Sequence, residues 1–295
     1  MNLDRLHPQA RAALGAQVRV PLTVDNLAEV RASMVDATAA EVGPGPEVRT
    51  VSDVDAGGVP ARLYTDGEGR PTLVYAHGGG WVMGDLATHD GLCRHLARVT
   101  GWAVLAVDYR RAPEVPFPGA VDDVSAATDW ARRAGPVALA GDSAGGHLAA
   151  VVARRARDAG RPVAAQVLIC PVIDPAMAYP DLDDYGLHRD EMRFFWDAFA
   201  PAAIDRSVPD LDPFRAPLAG LPPAVVITAE LDILRDEGER YAAALLAAGV
   251  PVISVRYQGV NHNFVRKLAI FDAAHAAVAQ IAAGLQCHSA PADTA

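Results

Sequence analysis

The chain reads as an α/β protein built on an eight-stranded, mostly parallel sheet flanked by helices, with a helical cap over one edge. Three observations give this class. From residue 72 onward, continuous apolar runs alternate with helix-period segments, as buried parallel strands joined by crossover helices should. Ahead of them, two strand-like runs flank the tight Asp55-Ala56-Gly57-Gly58 turn, an antiparallel hairpin signal. Two further stretches, 1–45 and 174–216, break the alternation and are left to form the cap.

The strands are expected near 47–53, 59–64, 72–77, 103–108, 137–141, 166–170, 224–228 and 252–257. Helices are expected near 87–99, 120–133, 144–159, 236–248 and 264–284. The fourth helix has a clear stop, with Gly249 after its last turn and Pro251 two residues on. In residues 1–45, one short helix starts at Pro8, and a second carries Leu27, Val30, Met34 and Val35 along one face, capped by Thr23 or Asn26. That apolar face needs a partner, and the apolar segment 190–199 of the cap is the expected one. Within 174–216, rich in Asp, Pro and aromatics, a helix is expected at Asp190–Phe199. Residues 46–173 and 217–285 thus form the main domain, and the tail 286–295 lacks an apolar pattern and is expected to be disordered.

The composition sets bounds on function. With 295 residues and 51% hydrophobic content, the chain can bury a large single core. Its formal net charge of −10 is spread through the chain, which argues against nucleic acid or an anionic membrane surface as a partner. Cys93, Cys170 and Cys287 are odd in number and lack metal-ligand spacing, so free thiols in a reducing compartment are expected. No signal peptide is evident at the N-terminus and no apolar run reaches the length of a membrane span, so a cytoplasmic protein is expected.

The chemistry is announced by Gly141-Asp142-Ser143-Ala144-Gly145, which lies between the strand-like Val137–Ala140 and a helical run. A serine on such a junction stands on a sharp, strained turn with its hydroxyl clear of the sheet, and the flanking glycines let neighbouring backbone close on it. Upstream, Thr72–Ala76 runs into His77-Gly78-Gly79-Gly80-Trp81. Successive glycines leave backbone N–H groups uncovered, suited to a developing oxyanion. A flexible turn or a phosphate nest is the plainer alternative, but the glycine, lysine and hydroxyl pattern of a phosphate loop is missing. Both motifs together point to the nucleophile elbow and oxyanion loop of an α/β-hydrolase fold.

Such a serine needs a histidine base and an orienting carboxylate, in the chain order Ser, acid, His. Downstream, His262 follows the last strand by a short loop, whereas His188 sits in the polar insertion as a surface or cap residue. His147, four residues along the helix from Ser143, is expected to point away from the turn. Glu230 and Asp232 both lie just past the strand at 224–228, and spacing leaves both open, with Asp232 further out on the loop.

These residues resemble the bacterial hormone-sensitive lipase family of serine esterases, also called family IV. The likeness is carried by Gly58–Tyr64, His77–Trp81, Asp108–Glu114 and Gly141–Gly146, then by Leu168–Pro171, Leu221–Ala224, Thr228–Gly238 and His262–Phe264, in the family's order. It implies Ser143 as nucleophile, Asp232 as acid and His262 as base. It also implies the N–H groups of Gly79, Gly80 and Ala144 as oxyanion donors, with Gly78 and His77 shaping the loop. Asn263 stands where the family usually has glycine, Ile233 where it often has proline, and Arg111 where it commonly has leucine. Changed loop detail, with the chemistry retained, is expected.

The resemblance implies hydrolysis of a small-molecule carboxylic ester through an acyl-enzyme, with no cofactor and no metal. Acyl chains of about two to eight carbons suit a compact, mostly apolar pocket. Trp81, Phe195 and Phe199, with Phe194 and Trp196, are candidates for lining it, and cap core is their plainer role. His89 with Asp90 could suggest a metal pair, but solvated helix-face residues are expected. An amide hydrolase, an acyltransferase or a non-catalytic ligand receptor are the alternatives, and the last strand, if exposed, could pair with its copy in a homodimer.

Overall fold

A computed structural model describes residues 2–15 and 20–289. Its centre is an eight-stranded sheet in the order β1-β2-β4-β3-β5-β6-β7-β8. The strands are β1 (Thr50–Asp55), β2 (Pro60–Thr65), β3 (Thr72–Ala76), β4 (Ala103–Val107), β5 (Val137–Asp142), β6 (Gln166–Ile169), β7 (Ala224–Leu231) and β8 (Val252–Asn261). β1 and β2 form the expected hairpin, β2 joins β4 antiparallel, and the other neighbours are parallel.

Every residue of β3, β4, β5 and β6 is buried, so both faces of the central sheet are covered. That is why these segments read as unbroken apolar runs. Six helices follow the first pair, α1 (Pro8–Gly15) and α2 (Leu27–Glu41): α3 (Leu86–Thr100), α4 (Gly119–Ala131), α5 (Ala144–Asp158), α6 (Arg189–Phe199), α7 (Arg235–Ala247) and α8 (Asp272–Ser289). Asp85 caps α3 by accepting the Thr88 N–H, while the Thr88 side chain takes the Asp85 N–H. α3 packs on α8, and α4 on α5.

The structure departs from expectation in several places, the first being β1, which starts at Thr50 and ends at Asp55 where 47–53 is expected. β7 and β8 run three and four residues further than expected, to Leu231 and Asn261, because they stay paired past a bulge between Ala229 and Leu231. The helix expected at 264–284 is a short turn at Phe264–Arg266 followed by α8, which continues to Ser289. Residues 286–289 are therefore helical where the sequence pattern predicts a disordered tail, and 290–295 lie outside the described residues. Finally, α2 rests on α3 and turns Val35 to solvent. Its inward face includes Arg31, whose guanidinium donates to the Val82 and Ala112 carbonyls and pairs with Glu114. Apolar periodicity does not register an arginine that is half-buried for its hydrogen bonds. No helix among the described residues is long and apolar enough to cross a membrane.

Candidate functional site

Ser143 stands between the end of β5 and the start of α5 with φ 55° and ψ −120°, a strained left-handed backbone for a residue with a side chain. The glycines around it are fixed by contact. A Cβ on Gly145 would sit 1.9 Å from the Ala76 carbonyl oxygen, and one on Gly141 would sit 2.2 Å from that of Gly145. Only glycine lets β3, β5 and α5 close so tightly around the turn.

The bulged end of β7 delivers Asp232, and the turn after β8 delivers His262. His262 Nε2 lies 3.0 Å from Ser143 Oγ, and Nδ1 lies 2.7 Å from Asp232 Oδ2. Asp232 Oδ1 accepts the Leu234 N–H at 2.9 Å. All three side chains are buried, His262 being the most open at 8% exposure. Asn263 occupies φ 64°, which explains why glycine is usual at that place and why asparagine, the next most tolerant residue there, can serve. Glu230 goes elsewhere. It accepts the Gly259 N–H at 2.8 Å and pairs with Arg5, tying β7 to β8 and to the N-terminal segment.

The glycine loop after β3 is held from beneath by Asp142. Its Oδ1 accepts the Tyr75 hydroxyl at 2.6 Å and the Gly78 N–H at 2.9 Å, and His89 Nε2 lies 3.4 Å from Oδ2. Burial alone would raise the Asp142 pKa. The charge of His89, with hydrogen bonds from His89 and Tyr75, outweighs burial and keeps the carboxyl well below the usual range. His77 stacks on Tyr109 with centroids 4.2 Å apart, and the Tyr109 hydroxyl donates to the His77 carbonyl. Burial, then the charge of His89, pushes the His77 pKa down to about 3, so the ring is neutral at working pH. Gly79 and Gly80 adopt φ 117° and 62°, conformations that favour glycine.

Sequence reasoning places His89 on a solvated helix face beside Asp90, and the structure corrects this. His89 is buried against Asp142, while Asp90 turns to the Tyr64 hydroxyl and Arg94. A helical wheel cannot show that a polar face of α3 lies over a buried carboxylate. His147, expected to point away from the turn, is buried, with Nε2 3.2 Å from the Leu211 carbonyl and its ring in a T-shaped contact with Trp81. His188 sits half-exposed at the N-cap of α6.

Of the aromatics, Trp81 and Phe199 are fully buried and stacked on each other, centroids 4.4 Å apart with planes 8° from parallel. They form the joint between the glycine loop and α6. Phe195 lies flat over Gly80, where a Cβ would meet three ring carbons at 2.2–2.4 Å. One of the free thiols lies closer to this site than its sequence context suggests. Cys170 Sγ, a carboxylate oxygen of Asp232 and a ring nitrogen of His262 lie within 4.8 Å of one another.

The chain is similar to known proteins over most of its length. The family described as the alpha/beta hydrolase fold matches residues 73–266. The chain is 39% identical over 277 residues to the carboxylic ester hydrolase LipN of Mycobacterium tuberculosis, covering 84% of this chain and 73% of that one. It is 35% identical over 290 residues to an ethyl acetate hydrolase of Pseudomonas putida, with 88% and 90% covered. Among solved structures, an esterase of the archaeon Pyrobaculum calidifontis superposes with a TM-score of 0.86 at 38% identity, over 97% of this chain and 100% of that one.

Proposed function

Because the chain belongs to the hormone-sensitive lipase-like branch of the α/β-hydrolase-fold family, we propose that it is a serine carboxylesterase acting through Ser143, His262 and Asp232. The observation that carries the reading is the continuous hydrogen-bonded path from Ser143 Oγ through His262 to Asp232, at 3.0 and 2.7 Å. Ester hydrolysis then runs in two steps. Ser143 Oγ attacks the carbonyl carbon as its proton passes to His262 Nε2. Asp232 holds the Nδ1–H, which fixes the tautomer and stabilises the imidazolium. The oxyanion accepts N–H groups of Gly79, Gly80 and Ala144. The alkoxide departs with the proton from His262, leaving an acyl-serine, and water repeats the sequence to free the acid.

The α1–α2 segment and the insertion carrying α6 act as a cap enclosing the acyl site. A closed site of this kind suits acyl chains of about two to eight carbons. Amide hydrolysis or acyl transfer would use the same three residues, but the relatives named above are ester hydrolases, which favours esters. A panel of p-nitrophenyl esters run beside matching anilides, on wild type and Ser143→Ala, tests the proposal. Ester turnover should dominate, and Ser143→Ala should lose at least about a hundredfold in kcat while staying folded. An organophosphate should add mass at Ser143 alone; label on another residue would refute the assignment.

A further inference from the structure

We infer that Cys170 is a positioning residue for this reaction, its thiol holding the Asp232 carboxylate in the orientation that His262 requires. The inference rests on the proposed Ser143–His262–Asp232 mechanism, and it begins with the backbone. Cys170 follows β6 directly and adopts φ 43°, a left-handed conformation that costs a residue with a Cβ on the order of 1 kcal/mol. Such strain persists only where the surroundings over-determine it. Here the Cys170 N–H donates to the Ile227 carbonyl at 2.7 Å, fastening the residue to β7, the strand that leads into Asp232. The turn sets the sulfur within 4.8 Å of both the Asp232 carboxylate and the His262 ring.

The carboxylate has capacity for it. Among the described residues, the Leu234 N–H donates to Asp232 Oδ1 and His262 Nδ1 to Oδ2, which leaves acceptor positions for a thiol. An ionised carboxylate offers about four acceptor sites. Asp232 is 1% exposed and Cys170 2%, so solvent does not reach the group freely, and a buried anion is costly unless neighbouring donors satisfy it. The thiol is the donor at hand. Burial, and after it the charge of Asp232, pushes the Cys170 pKa well up, so the proton stays on sulfur and the S–H faces an anion. A protonated, enclosed thiol is also a poor nucleophile and a poor target for alkylation, which leaves orientation of its neighbour as its contribution.

Three substitutions test this, with kcat and KM measured on a p-nitrophenyl ester and active sites counted by organophosphate labelling. Cys170→Ala removes the donor and should lower kcat about tenfold, the scale of one hydrogen bond to a charged group, with KM unchanged. Cys170→Ser restores a donor and should recover most of that loss. Cys170→Gly relieves the left-handed backbone while also lacking the thiol. If the residue mattered only through its backbone, the glycine variant would match or exceed wild type; we expect it to be impaired as Cys170→Ala is. The downfield NMR resonance of the proton shared by His262 and Asp232 should shift in Cys170→Ala and return in Cys170→Ser.

Full kcat in Cys170→Ala, equal loss in the alanine and serine variants, or a fully active glycine variant would overturn the inference. Asp232→Asn, run in parallel, separates it from the mechanism beneath it. If Asp232→Asn is fully active, the triad reading fails. If Asp232→Asn is impaired while Cys170→Ala is not, only the role of Cys170 fails. Adding Cys170→Ala to Asp232→Asn should produce little further loss, because the thiol then has no anion to orient.

Discussion

Replacing Asp142 should separate the support of the glycine loop from the chemistry proposed at Ser143. In Asp142→Ala, the Tyr75 hydroxyl and the Gly78 N–H, now 2.6 and 2.9 Å from Oδ1, both lose their acceptor in a buried setting. Each orphaned donor costs about 1–3 kcal/mol, so the pair should lower stability by about 2–6 kcal/mol. Asp142→Asn should behave differently. Its amide oxygen can keep both donors, and its amide N–H can turn to His89 Nε2 once that ring, no longer facing an anion, gives up its Nε2 proton and keeps the one on Nδ1. Thr88 Oγ1 lies 3.0 Å from Nδ1 and can accept it. The asparagine variant should therefore lose about 1 kcal/mol or less. Kinetics should follow the same order. With Gly78 released, Gly79 and Gly80 lose their placement, and a lost oxyanion donor costs about 10²–10³ in kcat. Urea unfolding gives the stability of each variant, and hydrolysis of p-nitrophenyl butyrate per labelled active site gives the rate. Equal stability and equal rates in the alanine and asparagine variants would refute the proposed loop support.

Asp232→Asn should remove most activity by favouring the wrong histidine tautomer, whereas Glu230→Gln should cost much less, because Glu230 only ties β7 to Gly259 and Arg5. Comparing kcat for the two variants decides; a larger loss at Glu230 would reverse the assignment. His147 gives a pH prediction. Burial lowers its pKa from 6.5 to about 4, so the folded state favours the neutral ring. Its contribution is present above pH 6.5 and is lost as pH falls toward 4. At pH 5 this amounts to about 2 kcal/mol relative to pH 7. Urea midpoints for His147→Gln should fall less on acidification than those of wild type, and equal slopes would contradict the argument. Deleting residues 1–40 removes the Arg31 bonds to the Val82 and Ala112 carbonyls, and should lower solubility and ester hydrolysis together. A truncated protein that remains soluble and fully active would count against the cap, as would a wild type fastest on long-chain emulsions.

The parts legible in the sequence are those where backbone geometry dictates residue type. Gly141 and Gly145 leave no room for a Cβ, Gly79 and Gly80 adopt positive φ, and the central strands are apolar throughout because both faces are covered. The illegible parts depend on side chains meeting across distant segments. His89 reads as a polar helix residue until β5 brings Asp142 beneath α3. Arg31 leaves no mark on the apolar pattern of α2, and only the fold brings the Val82 and Ala112 carbonyls to it. Glu230 and Asp232, two residues apart, are equivalent in spacing, and the bulge at Ala229–Leu231 directs Asp232 toward His262 while leaving Glu230 to Gly259. Trp81 and Phe199, candidates for a pocket wall, spend their surface on each other. Cys170 looks like an ordinary strand-end thiol because its positive φ leaves no compositional trace.

The Phe195 ring lying on Gly80 links the tolerance of the site for bulk to the rate of bond breaking. α6 bears directly on the loop that carries the proposed oxyanion donors, so a substrate that forces this helix outward also loosens those donors. An oversized ester would then bind adequately and react slowly, and selection among substrates would show in turnover more than in affinity. The same coupling bears on engineering. Shaving Phe195 to widen the site removes the weight that keeps the glycine loop in place, so broader scope and lower rate would arrive together. A compensating change that stiffens residues 78–80 from below, on the Asp142 side, would be the way to separate them.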